Sequence, residues 1–562
     1  MGVPGLAATL FHKYKHTLLV RPFAFTNDIT NFNSLFIDAN CLIHPVCQKV
    51  YSENKDLLKT NLEKLEQKMI AAIIEYLDML YTLVKPTDLF YIAVDGVAPY
   101  AKIKHQKLRR FKSVKEHEIK ENIARKHQVE YIKPWNNSAI TPGTTFMKKL
   151  NLDLINYLNK LGEKNKNLEI IYSSYSCPSE GEHKILQYIR KNRELIKDTN
   201  KVIYGLDADL IYLSLATNQD NIYLLRETNQ LNYQVKEGFS MVDIDCMKDC
   251  ILKEIKDSNF KTDSIKKDRF IKDYIFMGFL LGNDFLPPIP SVNFRYNRDP
   301  YNGHNILLDC YKKIFNGKYL IKEDLTINLI VFKKLLEELS KLEEQYFINT
   351  SAIKKYYIES GTNDPYENEI YNLENLYFKI IDPIQLGIKD IKEAKPLYYD
   401  YYKIDINKSI EKYIDGLHWV IKYYFQDCPD WKWYYPYENS PFISDIYEYV
   451  NNNKINSKEI IDKFTSNSSF LTPLQQLLIV LPPKSNYLLP YKYRLLMNNE
   501  LKQYYPLRVE LDFVMKNKFW QSNPRIEMID PDIIIEATDK IYLNFDEKNR
   551  NKIRDIYVVN KK

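Results

Sequence analysis

This chain of 562 residues has few cysteines, no long apolar run and no N-terminal targeting motif, and each of these absences excludes a class of protein. The seven cysteines are scattered and form no C-x-x-C pair, which argues against a disulfide framework and a structural zinc site. The longest apolar run, residues 274–282, is far shorter than the roughly 18–20 residues of a membrane-spanning helix. The sequence opens with neither a signal-peptide pattern nor a myristoylation motif. We expect a soluble protein of a reducing compartment, with no membrane association.

The composition is otherwise that of a globular protein, with 45% hydrophobic and 27% charged residues. Positive charge is concentrated in one segment: residues 102–133 contain eleven Lys and Arg against four Glu, although the whole chain carries only +6. This concentration indicates one anionic partner bound at one place. A solvated helix face is the alternative interpretation of such a charge run.

In the first half, short apolar segments alternate with helical periods. Helices are predicted over residues 57–83, 146–161 and 274–281, the last ending at Gly282. Continuous apolar strands between helices are typical of a parallel sheet that is covered on both faces. We therefore predict an α/β fold with a mainly parallel central sheet flanked by helices. Its strands are predicted at residues 35–38, 89–95, 168–173, 201–206 and 222–226.

The character of the chain changes after about residue 320. Residues 335–347 form a charged amphipathic pattern that predicts a helix, and residues 361–374 are polar, as in a linker or an exposed loop. Beyond residue 398 the chain is rich in Tyr and Trp. We predict an N-terminal domain over residues 1–350, a linker or exposed loop over 351–397, and an aromatic-rich second region over 398–562.

Acidic residues cluster at or after the predicted strands. Because the carboxyl ends of neighbouring parallel strands meet at one edge of a sheet, these acids are expected to converge. So many carboxylates cannot ionise side by side without cations, and oxygen ligands with no Cys or His cluster favour Mg²⁺ or Mn²⁺. Two such ions would align water and stabilise the leaving oxygen of a phosphodiester. The acids at or after strands are Asp38, Asp95, Glu180, Glu182, Asp207 and Asp209, and Asp284 joins them from a turn after a predicted helix.

Each acid also has an ordinary structural interpretation. Ser179 and Glu182 have the spacing of a capping box, in which Glu182 would only satisfy a backbone N–H. Asp95 precedes Gly96, a common turn pair. The placement of four separate clusters at strand ends is what favours a shared site.

A basic helix is predicted directly after Asp95. Lys102, Gln106, Arg109 and Arg110 are spaced i, i+4, i+7 and i+8, which places them within an arc of roughly 100° on one helix face. Two guanidinium groups, an ammonium and an amide on one face suit a terminal phosphate. An exposed basic face or a nuclear-targeting cluster is the alternative.

The chain resembles the Xrn family of 5′→3′ exoribonucleases in sequence blocks that together are highly specific and run over nearly its whole length. One departure is Ser179, where the family usually has Gly. The first-half blocks are MGVPGL, LFIDANCLIH, AVDGVAPYAKIKHQKLRRFKS, ITPGTTFM, CPSEGEHKI, YGLDADLIYLSL, LLRE and GNDFLPPIPS. The second-half blocks are GLHWVIKYYFQDCPDWKWYYPYENSPFISD, LTPLQQLLIVLPP and residues 512–520.

The resemblance implies a PIN or flap-nuclease-like α/β catalytic domain, with a mostly helical second conserved region packed against it. The seven acids would bind two Mg²⁺ ions, with Mn²⁺ as a substitute. The four basic-helix residues would hold a 5′-monophosphate. His44 would stack on a terminal base, as would a Trp of the DWKWYYPY block, for which we favour Trp433 over Trp431. From their local pattern alone, these aromatic residues would be assigned to the core.

The implied activity is processive 5′→3′ hydrolysis of 5′-monophosphorylated single-stranded RNA to 5′-mononucleotides, in mRNA decay. A flap-type structure-specific endonuclease would use the same acids, but it needs Gly-hairpin turns, and none is evident among only 15 Gly. A non-catalytic RNA-binding scaffold would be expected to have lost acids, and all seven are present. Activity on DNA stays open.

We further expect a monomer, with the decapping machinery as a candidate partner. The compact length of the chain and its frequent Asn, Lys, Ile and Tyr suggest a viral or protist source. The expected location is the cytoplasm, the host cytoplasm if the chain is viral, with the nucleus left open.

Overall fold

The computed structural model of the chain describes residues 6–14, 20–22, 31–228, 238–255, 266–292, 302–352, 362–376, 390–464, 468–514, 516 and 518–561. Residues 1–5, which carry most of the MGVPGL block, lie outside the described residues, and so do residues 353–361 and 377–389 of the predicted linker. Within the described ranges, we find no helix that is both long and apolar enough to traverse a bilayer.

A central sheet organises the described part of the chain, with the strand order β1-β7-β6-β5-β2-β3-β4-β10. The five inner strands, from β6 to β4, are parallel, and the outer pairs are antiparallel. The predicted α/β fold with a mainly parallel sheet is therefore confirmed. The strands are β1 (Val20–Pro22), β2 (Ser34–Asp38), β3 (Leu89–Ala93), β4 (Glu169–Ser173), β5 (Lys201–Tyr204), β6 (Ile222–Glu227), β7 (Phe239–Asp243) and β10 (Tyr557–Val559), with β8 (Leu511–Asp512) and β9 (Asn523–Pro524) forming a separate pair.

The inner strands are buried on both faces, which explains their nearly continuous apolar sequences. In β2 all five residues are buried: Phe36 belongs to the core on one face, and Leu35 and Ile37 belong to the core on the other. This arrangement leaves polar side chains only at the strand ends, where the chain leaves the sheet.

Helices cover both faces of the sheet and form most of the second half of the chain. In chain order they are α1 (Leu6–Lys13), α2 (Asn40–Glu53), α3 (Leu57–Thr60), α4 (Leu62–Val84), α5 (Tyr100–Lys126), α6 (Thr145–Lys164), α7 (Gly181–Lys191), α8 (Asp209–Ala216), α9 (Ile244–Ile255), α10 (Lys267–Phe279), α11 (Gly303–Ile314), α12 (Leu329–Ser340), α13 (Glu343–Ala352), α14 (Pro365–Glu374), α15 (Ile391–Tyr401), α16 (Ile406–Phe425), α17 (Ile443–Asn452), α18 (Ser457–Asp462), α19 (Pro473–Val480), α20 (Tyr491–Asn498), α21 (Pro531–Asp539) and α22 (Phe545–Asn551).

Three predicted segments differ from the structure. The helix predicted over 57–83 is divided at Asn61, whose side chain accepts a hydrogen bond from the Lys64 N–H and so starts a new helix. The helix predicted over 335–347 is divided by a turn at residues 341 and 342. Residues 361–374, predicted as a loop, contain α14, because Asp364 caps its N-terminus and Pro365 occupies its first turn.

The second half of the chain packs on the sheet as predicted from the family resemblance. Helix α16 contributes buried residues to the same core as Phe36 of β2. Strand β10, close to the C-terminus, pairs with β4 and extends the sheet. The domain boundaries themselves stay a prediction.

Candidate active site

The predicted acids lie at the carboxyl edge of the parallel strands. Asp38 is the last residue of β2 and lies in register with Ala93, the last residue of β3. Asp95 comes two residues after Ala93 in the chain. Glu180 and Glu182 flank the first residue of α7. The remaining three acids are Asp207 after β5, Asp209 at the start of α8, and Asp284 in the turn after α10.

Hydrogen bonds hold Asp95 and Asp38 in place. Asp95 Oδ1 accepts from the Gly181 N–H at 2.7 Å, and Asp95 Oδ2 accepts from Asn40 Nδ2 at 2.8 Å. The Cys41 thiol donates to Asp38 Oδ2 at 3.0 Å. A Cβ at position 181 would lie 2.6 Å from Asp38 Oδ1, so only glycine allows this close approach of α7 to the strand end.

The pKa values show that the acids form one electrostatic cluster. Burial and the nearby Asp95 raise the pKa of Asp38 to about 8. Burial and the nearby Asp284 raise the pKa of Asp209 to about 7. Burial also raises the pKa of Glu182, and the neighbouring Glu180 adds to the effect. Buried like charges favour protonation, so full ionisation of this cluster requires cations.

Lys102 supplies one cation from within the chain. Its Nζ lies 2.5 Å from Glu180 Oε1 and 2.5 Å from Asp284 Oδ2. Although burial opposes ionisation of Asp284, Lys102 holds the pKa of that carboxyl well below its usual range. His105 Nδ1 lies 3.7 Å from the other oxygen, Asp284 Oδ1. The predicted phosphate-binding lysine therefore contacts the acids directly.

The donor set fits a divalent cation. Asp38 Oδ1 and Glu182 Oε2 are buried oxygens that receive no hydrogen bond in the described structure. Glu180, Glu182 and His183 each offer one ligand atom, and these atoms lie within 4.8 Å of one another. Carboxylates with uncompensated oxygens are the donors that hard cations such as Mg²⁺ take, and Mn²⁺ takes imidazole nitrogen as well.

The capping-box alternative for Glu182 is not realised. Helix α7 begins at Gly181, and Glu180 occupies the N-cap position without a side-chain hydrogen bond to the helix. Ser179 has a φ of +89°, and its Oγ receives and donates no hydrogen bond among the described residues. Glu182 therefore points to the acid cluster rather than to its own helix end. Sequence reasoning missed His183, although it directly follows Glu182 in the GEHK motif.

The predicted phosphate-binding face lies on α5, as expected. Arg110 Nη2 donates to Thr141 Oγ1 at 2.7 Å, whereas its buried Nη1 has no acceptor in the described structure. Gln106 Oε1 accepts from Gln476 Nε2 at 3.4 Å, and Arg109 is exposed. These three side chains keep donor groups that a phosphate would accept from.

His44 lies next to this face. Burial, together with the positive charges of Arg109 and Arg110, lowers the pKa of His44 to about 4. The ring is therefore neutral at physiological pH, and a neutral ring next to a phosphate-binding face suits base stacking. Its stacking role stays a prediction.

Other lysines of the basic segment, residues 102–133, donate hydrogen bonds to backbone carbonyls of the second region. Lys104 Nζ donates to the Tyr435 carbonyl at 2.8 Å, and Lys107 Nζ donates to the Glu527 carbonyl at 3.1 Å. Lys112 Nζ donates to the Trp520 carbonyl. Part of the charge surplus therefore contacts the second region, and the buried ammonium groups of Lys104 and Lys107 need such acceptors. Binding of one anionic partner by this segment stays a prediction.

The two candidate tryptophans have different surroundings. Trp433 stacks on Trp419, with ring centroids 5.2 Å apart and an interplanar angle of 22°. Trp431 makes an edge contact with Phe470 at 5.5 Å. The Trp433 ring also covers Gly416, where a Cβ would lie 2.9 Å from it. Both indoles are half-buried, and the choice of Trp433 as the base-stacking residue stays a prediction.

A parallel α/β sheet that collects buried carboxylates at its carboxyl edge, beside a cationic helix face, is the architecture of a metal-dependent nuclease. A family model of the XRN 5′-3′ exonuclease N-terminus matches residues 1–228, and one of the Xrn1 helical domain matches residues 264–379 and 382–562. The chain therefore belongs to the XRN 5′-3′ exonuclease family.

Curated relatives support this membership. The chain is 28% identical to 5′-3′ exoribonuclease 2 of Debaryomyces hansenii, over 99% of the chain and 71% of the relative. It is 30% identical to human 5′-3′ exoribonuclease 1, over 98% of the chain and 35% of the relative. For 5′-3′ exoribonuclease 1 of Saccharomyces cerevisiae the identity is 27%, over 93% of the chain and 42% of the relative. The chain thus spans less than half the length of the last two relatives.

Proposed function

We propose that the chain is a processive 5′→3′ exoribonuclease that hydrolyses 5′-monophosphorylated single-stranded RNA to 5′-mononucleotides. The observation that carries this proposal is the position of Lys102, whose ammonium lies 2.5 Å from Glu180 and Asp284. Arg109 and Arg110 lie two turns further along the same helix. A 5′-phosphate bound to this helix face therefore brings the first phosphodiester bond to the acids.

Each group of residues has a distinct task in this proposal. Lys102, Gln106, Arg109 and Arg110 bind the terminal phosphate and so set which bond reaches the acids, and Lys102 is the member of this set that also contacts the acids. His44 and Trp433 stack on bases, which tolerates any sequence because every base has a π-face. Contacts to phosphate and π-faces alone suit digestion that is independent of sequence. The chain advances by one nucleotide when the 5′-mononucleotide leaves.

The seven acids, with His183 as an additional donor, would hold the cations. We propose Mg²⁺, with Mn²⁺ as a substitute, because six or more carboxylate oxygens favour hard cations. When bound, such ions lower the pKa of a water nucleophile and stabilise the leaving oxygen of a phosphodiester. The residues of the chain contribute their fixed positions, which the hydrogen bonds to Asp95 and Asp38 secure.

The decisive experiment compares three RNAs of one sequence with 5′-monophosphate, 5′-hydroxyl and capped ends, in Mg²⁺. The proposal expects 5′-mononucleotides from the first RNA alone. A parallel reaction with a branched duplex of the same sequence tests the alternative: longer products from it would indicate the flap-type endonuclease, and binding without products would indicate a scaffold.

Variants of the acids complete this experiment. Asp207→Ala and Asp209→Ala are expected to abolish hydrolysis and to leave RNA binding intact, because both acids belong to the cluster and not to the phosphate-binding face. Asp198→Ala, at an exposed acid between α7 and β5, is the matched control and should retain wild-type turnover. Unchanged turnover in both cluster variants would contradict the assignment.

The cellular setting is also proposed. A protein that needs a 5′-monophosphate requires a reaction that removes the cap or cleaves the RNA, and decapping enzymes are therefore candidate partners in mRNA decay. We propose that it acts as a monomer in the cytoplasm. Light scattering of the purified protein and imaging of a tagged chain in cells test these two statements.

A further inference from the structure

A tyrosine of the second region reaches into the acid cluster. Tyr423 lies on α16, and its hydroxyl donates a hydrogen bond to Glu180 Oε2 at 3.1 Å. Both side chains are buried. The two residues are 243 positions apart in the chain, so this contact depends on the packing of the second region against the first.

Aromatic side chains pack against the ring of Tyr423 on both faces and at its edge. His183 covers one side, with centroids 3.8 Å apart and an interplanar angle of 31°. Trp419 is stacked with it at 4.8 Å and 26°, and Trp433 continues the stack at 5.2 Å. Phe285 meets the ring edge-on at 5.1 Å. Because a ring packed in this way has little rotational freedom, the direction of its hydroxyl is fixed.

The two oxygens of Glu180 are therefore held by two different elements. Lys102 of α5 contacts Oε1 at 2.5 Å, and Tyr423 of α16 donates to Oε2 at 3.1 Å. Glu180 occupies the N-cap position of α7 but its side chain makes no capping bond. The orientation of its carboxylate is thus set from outside its own helix.

We propose that Tyr423 is a positioning residue that orients Glu180 for binding of a divalent cation. This positioning role rests on the proposed function only because Glu180 is taken as a metal ligand. Groups that hydrogen-bond to a ligating carboxylate fix its orientation, and their loss typically weakens metal affinity by about 10- to 100-fold. The second region then completes the metal site of the first region, in addition to covering the sheet.

The test uses Tyr423→Phe in the full chain, which keeps the stacked ring and removes only the hydroxyl. The matched control is Tyr505→Phe, at another buried tyrosine of the second region, whose hydroxyl donates to the Leu478 carbonyl at 2.7 Å. Mn²⁺ binding is measured without RNA, by electron paramagnetic resonance or calorimetry. We expect about 10- to 100-fold weaker Mn²⁺ binding in Tyr423→Phe and wild-type binding in the control.

Two further measurements separate positioning from a loss of folding. The Mg²⁺ concentration that gives half-maximal turnover should rise in Tyr423→Phe, whereas the KM for RNA stays unchanged. In a Glu180→Gln background, adding Tyr423→Phe should cause no further loss of Mn²⁺ affinity, because its acceptor has already been altered. A loss in that background as large as in the wild type would overturn the proposal.

Failure of this inference is distinguishable from failure of the proposed function. If the wild type digests 5′-phosphorylated RNA and Tyr423→Phe keeps wild-type Mn²⁺ affinity and Mg²⁺ midpoint, only the positioning role is refuted. If the wild type releases no mononucleotides but Tyr423→Phe still weakens Mn²⁺ binding, the positioning role stands and the exoribonuclease assignment falls.

Discussion

The ammonium of Lys102 lies 2.5 Å from the carboxylate of Asp284, although one residue belongs to the basic helix and the other to the turn after α10. The same ammonium contacts Glu180 at 2.5 Å. The side chain of Lys102 is 13% exposed, and those of Glu180 and Asp284 are 6% and 3% exposed. One lysine thus joins the proposed phosphate-binding face to the acid cluster, so a change of charge at one of these places alters the electrostatic potential at the other.

The first prediction concerns Lys102→Met. Removing this ammonium leaves two buried carboxylates without their internal cation, so we expect the free energy of unfolding in EDTA to fall by about 3–5 kcal/mol. Urea unfolding in chelator measures it. Lys115→Met on the same helix is the control: its amine pairs with Glu118 at 3.4 Å near the surface, where an ion pair is worth about 0–1 kcal/mol. Equal losses in the two variants would contradict the role of Lys102.

The second prediction concerns Arg109→Ala. A charge-assisted hydrogen bond contributes about 1.5–3 kcal/mol, so the preference for 5′-phosphate over 5′-hydroxyl RNA should fall by roughly 10- to 100-fold. The ratio of kcat/KM for the two RNAs measures this preference. Arg125→Ala, an exposed arginine near the end of the same helix, should keep the ratio. An unchanged ratio in Arg109→Ala would remove the phosphate-binding assignment.

The third prediction concerns metal removal. Excess EDTA should stop hydrolysis, and added Mg²⁺ or Mn²⁺ should restore it, because buried oxygens such as Asp38 Oδ1 and Glu182 Oε2 receive no hydrogen bond among the described residues. Product release is followed before and after metal is returned. Binding of 5′-phosphorylated RNA to the basic helix should persist in chelator more than turnover does. Activity that survives dialysis against EDTA would refute the metal requirement.

The fourth prediction concerns Ser179→Gly. Ser179 has a φ of +89°, a region that costs a residue with a side chain roughly 1–2 kcal/mol. Its N–H donates to the Val97 carbonyl at 2.7 Å, and its carbonyl accepts from the Gly96 N–H at 2.9 Å, and glycine keeps both bonds. We expect stabilisation by about 1 kcal/mol, measured as an increase in Tm.

A control of opposite sign accompanies this variant. Ser113→Gly, in the interior of α5, should destabilise by roughly 0.5 kcal/mol, because glycine loses more backbone entropy in a helix than serine does. If Ser179→Gly lowers Tm as Ser113→Gly does, backbone strain at Ser179 is not relieved by glycine.

Much of the fold follows from short-range patterns. The apolar segments of β2 to β6 and the acids that follow them were predictable, because strand burial and strand ends are visible within ten residues of sequence. The basic face of α5 was predictable from helical periodicity. The contacts of its individual lysines were not predictable, because all three have similar local sequences. Lys102 contacts the acids, whereas Lys104 and Lys107 donate to carbonyls of the second region.

Contacts between distant segments were also invisible in the sequence. Nothing local to Tyr423 distinguishes it from an ordinary core residue, and its contacts with Glu180 and His183 arise from the packing of α16 against α7. Helix α14 is a smaller example, because a polar segment became helical through its Asp364 cap and its ion pair between Glu369 and Lys126 of α5.

The sequence by itself determined the parallel sheet, the acids at its carboxyl edge and the cationic stripe of α5, since each depends on the repeat of a strand or a helix. Only the tertiary structure decided which cation meets the acids and which residues orient them. Lys102 and Tyr423 reach Glu180 from two different helices, and the free energy of such contacts comes from desolvation and packing between segments that are far apart in the chain.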